Sequence, residues 1–542
     1  MLKHCDRIRS LRGTSALTVI AAAFAMTLPA QAQVAADSVA PADTAADNAG
    51  DPSIIVTGSR LRTTFNAPTP VNVISTDHLD KIGIANIADA LNTLPSFRQV
   101  TSPATNLYRQ STNTAARSMD LRGLGESRTL VLVDSRRFVP SSELGTVDLN
   151  AIPSSLIARA EVVTGGASAL YGANAVAGVV NLILDTKLNG IKGEVSYGVT
   201  RKGDADSFNA SIAAGTSFGG DRGHVVVGVE FADEKPAGDC FTRDWCSSSI
   251  QLFNNPGFNT DPAKSNGLPA SLLYNNVWSI LNPGGVIASG PLKGTTFDSS
   301  GNPVPFLFGS LVSGTSMVGG DASVGRSLLT ENVPLKTANR HISAFGHANY
   351  DLTDALQMVA ELSYSEVRGG PTQGSNGFDF STADSQFVND PTKVTGGSGL
   401  RIKIDNAYLP AATRTAMVNA GVVTIPINKL YREFTPPSGV STSKTTRAMI
   451  GFNGDIGSWK WDAYYQYGQT KSRLDIVGLR NLARFAQATD AVVAPDGRIV
   501  CRSTLTSPTN GCVPFNVFGE SRASKAAVAY VTGDAWATRN IS

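Results

Sequence analysis

The chain has only five cysteines and five histidines among 542 residues, and aromatics make up 7%. Beyond residue 32 no apolar run reaches the ~20 residues that a membrane helix needs, so a bundle of spanning helices is excluded. Charge is scarce and balanced, with 17% charged residues and a net charge of +2. No basic patch interleaved with aromatics is present, which argues against a nucleic-acid partner. Two cysteine pairs remain after Cys5, which lies near the N-terminus: Cys240 with Cys246, and Cys501 with Cys512. Zinc is the rival to disulfides, but neither pair has C-x-x-C spacing or histidines nearby, so both pairs read as disulfides of an exported chain.

What is abundant points the same way. Lys3, Arg7, Arg9 and Arg12 precede an apolar stretch from Ala16 to Leu28, and Ala30-Gln31-Ala32 follows. That is the layout of a cleaved signal peptide over residues 1–32. Residues 33–62 read as a flexible tail, rich in Ala, Asp, Ser and Pro, with an isolated β-prone run at Ile54-Ile55-Val56-Thr57-Gly58. From residue 63 to 187 short strands and helices alternate. Ser75-Thr76-Asp77 offers a helix cap, Ile87, Ala88, Leu91 and Leu94 share a helical face, and Val176 to Leu184 is apolar enough for a strand buried on both faces. This predicts a compact α+β domain.

From residue 188 to 542 a period of two takes over. Val225, Val227, Val229 and Phe231 alternate with His224, Gly228 and Glu230, and Leu356 to Ser365 and Trp461 to Gly468 behave alike. Fifty-two glycines and 27 prolines supply the turns. Tight links at Gly219–Gly223, Asp351–Asp354 and Ile456–Ser458 alternate with very long ones at Pro236–Ala338 and Gly369–Ser443. A membrane β-barrel with short periplasmic turns and long extracellular loops has this parity, and a soluble sandwich needs none. His224, His341 and His347 fall on the lumen side, where polar filling is the ordinary role and a metal the lesser alternative. Gly215-Thr216-Ser217-Phe218-Gly219 fits the G-x-S-x-G pattern, but that motif needs a strand followed by a helix, and here it ends a barrel strand at a tight turn. No catalytic constellation and no cofactor is expected.

Several stretches, IIVTGSR (Ile54–Arg60), NIADALNTLPSF (Asn86–Phe97), DLRGLGESRTLVLVDSRR (Asp120–Arg137), IPSSLIARAEVVTGGASALYG (Ile152–Gly172) and NAVAGVVNLIL (Asn174–Leu184), resemble the plug region of TonB-dependent outer-membrane receptors. CVPFNVFG (Cys512–Gly519) is similar to an outer-loop segment of that group. The resemblance implies an N-terminal plug inside a 22-stranded barrel of which this chain holds only the first part. It implies import of a scarce nutrient, a siderophore, carbohydrate or similar, across the outer membrane of a Gram-negative bacterium. Ile54 to Gly58 match the TonB box, which pairs by β-augmentation with TonB, energised by ExbB and ExbD. Membrane lipid and a small-molecule ligand are the other partners. Arg122 to Gly125 match a tight turn, and Arg159 with Glu161 are expected to form a structural ion pair. The apical loops, taken as Arg98–Arg117 and Asp134–Ser142, offer Asn106, Tyr108, Arg109, Gln110, Arg136, Arg137 and Phe138 as ligand contacts. A surface binding or adhesion protein, or a truncated receptor without transport, is the alternative, while a passive porin conflicts with a plug. At roughly 40 residues per strand, a 22-stranded barrel needs about 880 residues where 352 follow residue 190 (542 − 190), so a fragment or truncated product is expected.

Overall fold

The computed structural model describes residues 71–75, 86–105, 114–165, 167–239, 242–245, 250–287, 289–321, 334–373, 378–379 and 400–542. The expected signal peptide, the tail with Ile54–Gly58, the cap at Thr76-Asp77, Asn106–Gln110, Cys240 and Cys246 lie outside these residues.

The N-terminal domain is built on a five-stranded sheet. Its strands are β1 (Val71–Ser75), β2 (Thr129–Val133), β3 (Arg136–Arg137), β4 (Ile157–Val163) and β5 (Gly178–Leu184), in the order β1-β4-β5-β2-β3. β2 and β5 run parallel, and both are almost entirely buried. Their near-continuous Val and Leu content follows from that, because alternation with polar residues has no place on a strand covered on both faces. Leu130, Leu132, Val163 and Val179 fill one side. Val131, Val133, Val162, Val180 and Leu182 fill the other, beneath helix α1 (Ile87–Leu91), whose Asn86 cap accepts from the amide of Ala88. The close approach of β4 to β5 requires glycine at 178. Its φ is +143°, and a Cβ there would sit 2.1 Å from the carbonyl oxygen of Val163.

A second sheet has eight antiparallel strands in a meander: β6 (Gly190–Gly198), β7 (Ser207–Phe218), β8 (Gly223–Glu234), β9 (Asn339–Thr353), β10 (Leu356–Gln373), β11 (Ser438–Ile456), β12 (Trp459–Arg480) and β13 (Thr532–Ile541). Short links at 219–222, 354–355 and 457–458 gather at one end. The connections 199–206, 235–338, 374–437 and 481–531 gather at the other.

The alternation sorts the two faces of this sheet. Asn209, Ser211, Ala213, Glu230, His341, Glu361 and Arg447 are buried toward the N-terminal domain, while Ile212, Val227, Val229, Leu362, Ile450 and Tyr465 point out and are exposed. Outward aromatics bracket the apolar face. Phe208 and Phe218 on β7 are ten positions apart, about 33 Å along a strand and roughly 25 Å across a membrane at a ~40° tilt. That is the height of the apolar band of an outer-membrane barrel. Ion pairs Lys444–Glu366 and Arg473–Asp475 lie near its long-connection edge, where by register Glu366 is level with Ala210 and Arg473 with Phe208.

The two sheets share a core. Ala213, Val226 and Phe345 of the long sheet pack with Leu156, Val180 and Leu182 of the N-terminal domain. Gly228 leaves room for Leu156, whose Cγ lies 2.4 Å from where a Cβ would stand.

Candidate functional site

The seam between the N-terminal domain and the long sheet concentrates buried charge, and several of these charges are answered from the other side. Arg117, 1% exposed, donates from Nε to Asp89 Oδ2 at 3.0 Å, from Nη1 to Asn150 Oδ1 at 3.0 Å, and from Nη2 to Glu234 Oε1 and Oε2 at 2.7 and 3.0 Å. Glu234 closes β8. It also takes the ammonium of Lys336 and, at 3.1 Å, the amide of Asn339. Burial alone would lower the pKa of Arg117, but Glu234 and Asp89 outweigh it and hold the guanidinium above its ordinary value. Asp148 beside it is raised by burial, against hydrogen bonds from the amides of Arg117 and Asn150.

Two further contacts repeat the pattern. Glu361 on β10 accepts from Arg447 Nη1 at 2.6 Å and from Arg136 Nη1 of the N-terminal domain at 3.4 Å. Arg447 also donates to Gln466 at 2.8 Å and lies 5.4 Å over the ring of Phe138, as Arg136 does over Tyr464. Glu230 accepts from the amide of Ser154 at 2.7 Å and from its hydroxyl, while His341 Nε2 stands 2.9 Å from the other oxygen. Charges this deep cost several kcal/mol to desolvate, and they are tolerated because each is paired and hydrogen-bonded. Breaking one pair leaves the partner stranded, at about 3–5 kcal/mol.

The expected ligand residues separate. Arg136 and Phe138 are not apical. Arg136 is level with Glu361, five residues from the start of β10 at the short-link end, and Phe138 is 5% exposed against Arg447. The reason is local: Asp134 and Ser135 have φ of +47° and +66°, the left-handed pair of a two-residue hairpin, so the chain reverses at this depth. It then climbs. Val139 packs on Gly468, Pro140 O accepts from Thr470, and Glu143 pairs with Arg539, so only the stretch from Pro140 onward reaches the long-link half. Arg137 faces another way, donating to the carbonyl of Tyr171 at 2.5 Å and to Asn174 at 3.4 Å. Both flanks of Asn106–Gln110 are fixed at the long-link end, Pro103 by the amide of Thr337 at 2.9 Å and Thr114 by Ser441. A cavity of about 280 Å³ opens there between Asp89, Asn92, Gln99, Ser102, Arg117 and Lys336, and Asn92 Oδ1 has no hydrogen-bond partner.

The remaining expectations take their places. Arg159 and Glu161 pair at 2.9 Å within β4. Cys501 and Cys512 are joined by a disulfide in the β12–β13 connection. The G-x-S-x-G stretch closes β7 and ends on the first residue of the β7–β8 turn, with an antiparallel strand following it. His224 Nε2 lies 3.2 Å from Asn189, and His347 lies 3.4 Å from Glu361. The sequence reading did not single out Arg117, Glu234 or Arg447 and took Glu230 and Glu361 only as polar members of an alternation. A carboxylate on the inward face of a wall strand was the available signal.

Comparison with known proteins follows this division. The profile of the TonB-dependent receptor plug domain matches residues 63–179. A vitamin B12 transporter of Photobacterium profundum is 31% identical over 193 residues, 35% of this chain and 29% of that protein. One of Vibrio cholerae is 35% identical over 118 residues, 22% of this chain and 18% of its own length. The ferric enterobactin receptor of Pseudomonas aeruginosa is similar at 14% identity and a TM-score of 0.35, covering 75% of this chain and 50% of that one. The chain thus spans less than a third of the transporters it matches and about half of the receptor.

Proposed function

We propose that the chain, whose residues 63–179 match the TonB-dependent receptor plug domain, is part of a receptor of that kind in the Gram-negative outer membrane, and that the full-length protein is a ligand-gated importer of a scarce nutrient. The observation that carries the reading is a plug held on the inner face of a barrel wall by two buried ion pairs, Arg117 to Glu234 and Arg136 to Glu361, and by hydrogen bonds from Ser154 to Glu230. Such a plug blocks diffusion, so passage needs work done on it, and the outer membrane has no nucleotide supply. Ile54, Ile55, Val56, Thr57 and Gly58 would form the strand that TonB grips, with ExbB and ExbD supplying the energy. A gripped strand needs backbone donors more than particular side chains, which suits a short apolar run ahead of the plug. The ligand would be a siderophore, a carbohydrate or a compound of similar size, met by the outer face of the plug around Asn106, Tyr108, Arg109 and Gln110.

The test needs no ligand. A peptide spanning residues 51–62 should bind the periplasmic domain of TonB in titration calorimetry, and the same peptide with Val56→Pro should not, since proline removes one donor. Equal binding by both peptides would remove the coupling segment from the account.

A further inference from the structure

The outward face of the wall carries a block of cations at the edge of the apolar band nearest the long connections. Arg340 on β9, Arg368 on β10, Lys444 on β11, and Lys471 and Arg473 on β12 are all exposed. They alternate with buried His341, Val367, Ser443 and Ser472, so they share the face of Ile342, Leu362 and Tyr465. The register sets them in two rows. Arg340, Arg368, Thr442 and Arg473 stand opposite one another in turn; two residues nearer the short links come Ile342, Glu366, Lys444 and Lys471.

Two of these contacts set like charge against like. Arg340 faces Arg368 and Lys444 faces Lys471, positions where Cβ atoms are about 4.5–5.5 Å apart and like charges destabilise a sheet. The nearby carboxylates do not cancel the excess. Asp233 is taken by Lys235 at 2.7 Å, Glu366 by Lys444 at 3.2 Å and Asp475 by Arg473 at 2.6 Å. Those pairs leave Arg340, Arg368 and Lys471 over. Arg340 lies 5.4 Å over the ring of Phe231, and no carboxylate among the described residues pairs with any of the three. Arg473 also lies 5.6 Å over the ring of Trp536, which is 67% exposed on β13. A tryptophan so placed suits the boundary where hydrocarbon gives way to headgroups.

An anion seated between the members of each opposed pair turns their repulsion into attraction. Phosphate suits both pairs, since guanidinium forks bind it bidentately and ammoniums hold it as point charges. The midpoints of the two pairs are separated by two strand spacings of ~4.8 Å and a two-residue step of ~6.7 Å, about 12 Å in all. We propose that this block binds a lipid headgroup carrying two phosphates, held in the outer leaflet with its acyl chains on the apolar band beside it. The proposal rests on the reading of the sheet as a membrane wall whose long connections face outward, and its test does not involve transport.

Full-length receptor in a neutral detergent is titrated with diphosphoryl and with monophosphoryl lipid A, and binding is read by native mass spectrometry. The diphosphoryl form should bind about tenfold or more tightly than the monophosphoryl one. Arg368→Gln and Lys471→Gln remove cations without breaking an ion pair. Each should weaken binding of the diphosphoryl form about fivefold, and the two together about 25-fold. Lys460→Gln, at the short-link end of β12, should change nothing. In detergent without lipid both variants should melt at the wild-type temperature or above it, since each relieves an opposed pair. Equal binding of the two lipids by the wild type, wild-type affinity in the double variant, a lower melting temperature without lipid, or displacement of the lipid by inorganic phosphate at equal concentration would overturn the site. Should a variant fail to assemble, the comparison of the two lipids on the wild type still decides. A receptor that binds as expected yet imports nothing would leave this proposal standing and defeat the transport reading instead.

Discussion

Replacing Arg117 with methionine keeps most of the side-chain volume and removes the charge that joins plug to wall. Asp89 and Asn150 lose a donor, and Glu234 loses its bidentate partner but keeps Lys336 and Asn339. Stranding one member of a buried pair costs about 3–5 kcal/mol, and the two partners left to Glu234 put this case at the lower end, about 3 kcal/mol. At 1.4 kcal/mol per decade that is a rise of roughly 150-fold in the population of released plug. Glu234→Met should cost a similar amount, by stranding Arg117 and Lys336. The double variant should cost less than the sum, since neither charge is then left alone, with a coupling energy of about 2–3 kcal/mol. Pulse proteolysis of the full-length receptor across a urea series reads plug release in all four proteins. A coupling below about 0.5 kcal/mol would mean that the pair does not hold the seam.

Asp134 titrates with a sign that can be checked. Burial, with Glu361 adding to it, pushes its carboxyl up to about 6 against the amide of Leu184, so the folded plug keeps this proton after the unfolded chain has lost it. Its contribution is therefore full below about pH 4 and fades as pH climbs toward 6, by at most about 3 kcal/mol; Asp134→Asn should flatten that decline, and an unchanged profile would contradict it. Gly178→Ala meets both a forbidden φ and the carbonyl of Val163. It should lower plug stability in thermal unfolding by about 3 kcal/mol or more, and a loss under ~1 kcal/mol would refute the β4–β5 register. Peptide mapping without reductant should recover Cys240 linked to Cys246 alongside Cys501 linked to Cys512, whereas crosswise pairing would undo the assignment of these cysteines to local loops.

The architecture was legible because it rests on local signals. Strands β2 and β5 announced themselves as near-continuous apolar runs, and the wall through a period of two in which Glu361 and Ser363 alternate with Leu362. Turn lengths sorted the short and long links of the meander to opposite ends. The seam was harder, since Arg117 and Glu234 stand 117 residues apart and nothing near either one names the other. The expectation that Asp134 to Ser142 lies at the apex missed the hairpin at Asp134-Ser135, for which neither residue is the usual glycine or asparagine. The apolar core shared by three long connections was invisible for a related reason. Ile427, Phe485 and Phe518 sit in loops without period, and only their meeting in space makes them a core.

The central claim is that force applied at Ile54–Gly58 from the periplasm drives import through a plugged barrel. For the full-length receptor and a radiolabelled ligand first shown to bind at the cell surface, cobalamin and ferric siderophores being the first to try, uptake is compared between wild type and Val56→Pro. Surface binding should be equal in the two, because the proposed ligand contacts lie on the far side of the plug from Val56, while uptake by Val56→Pro should fall to the level of cells lacking TonB. Uptake at the wild-type rate by Val56→Pro would contradict the account.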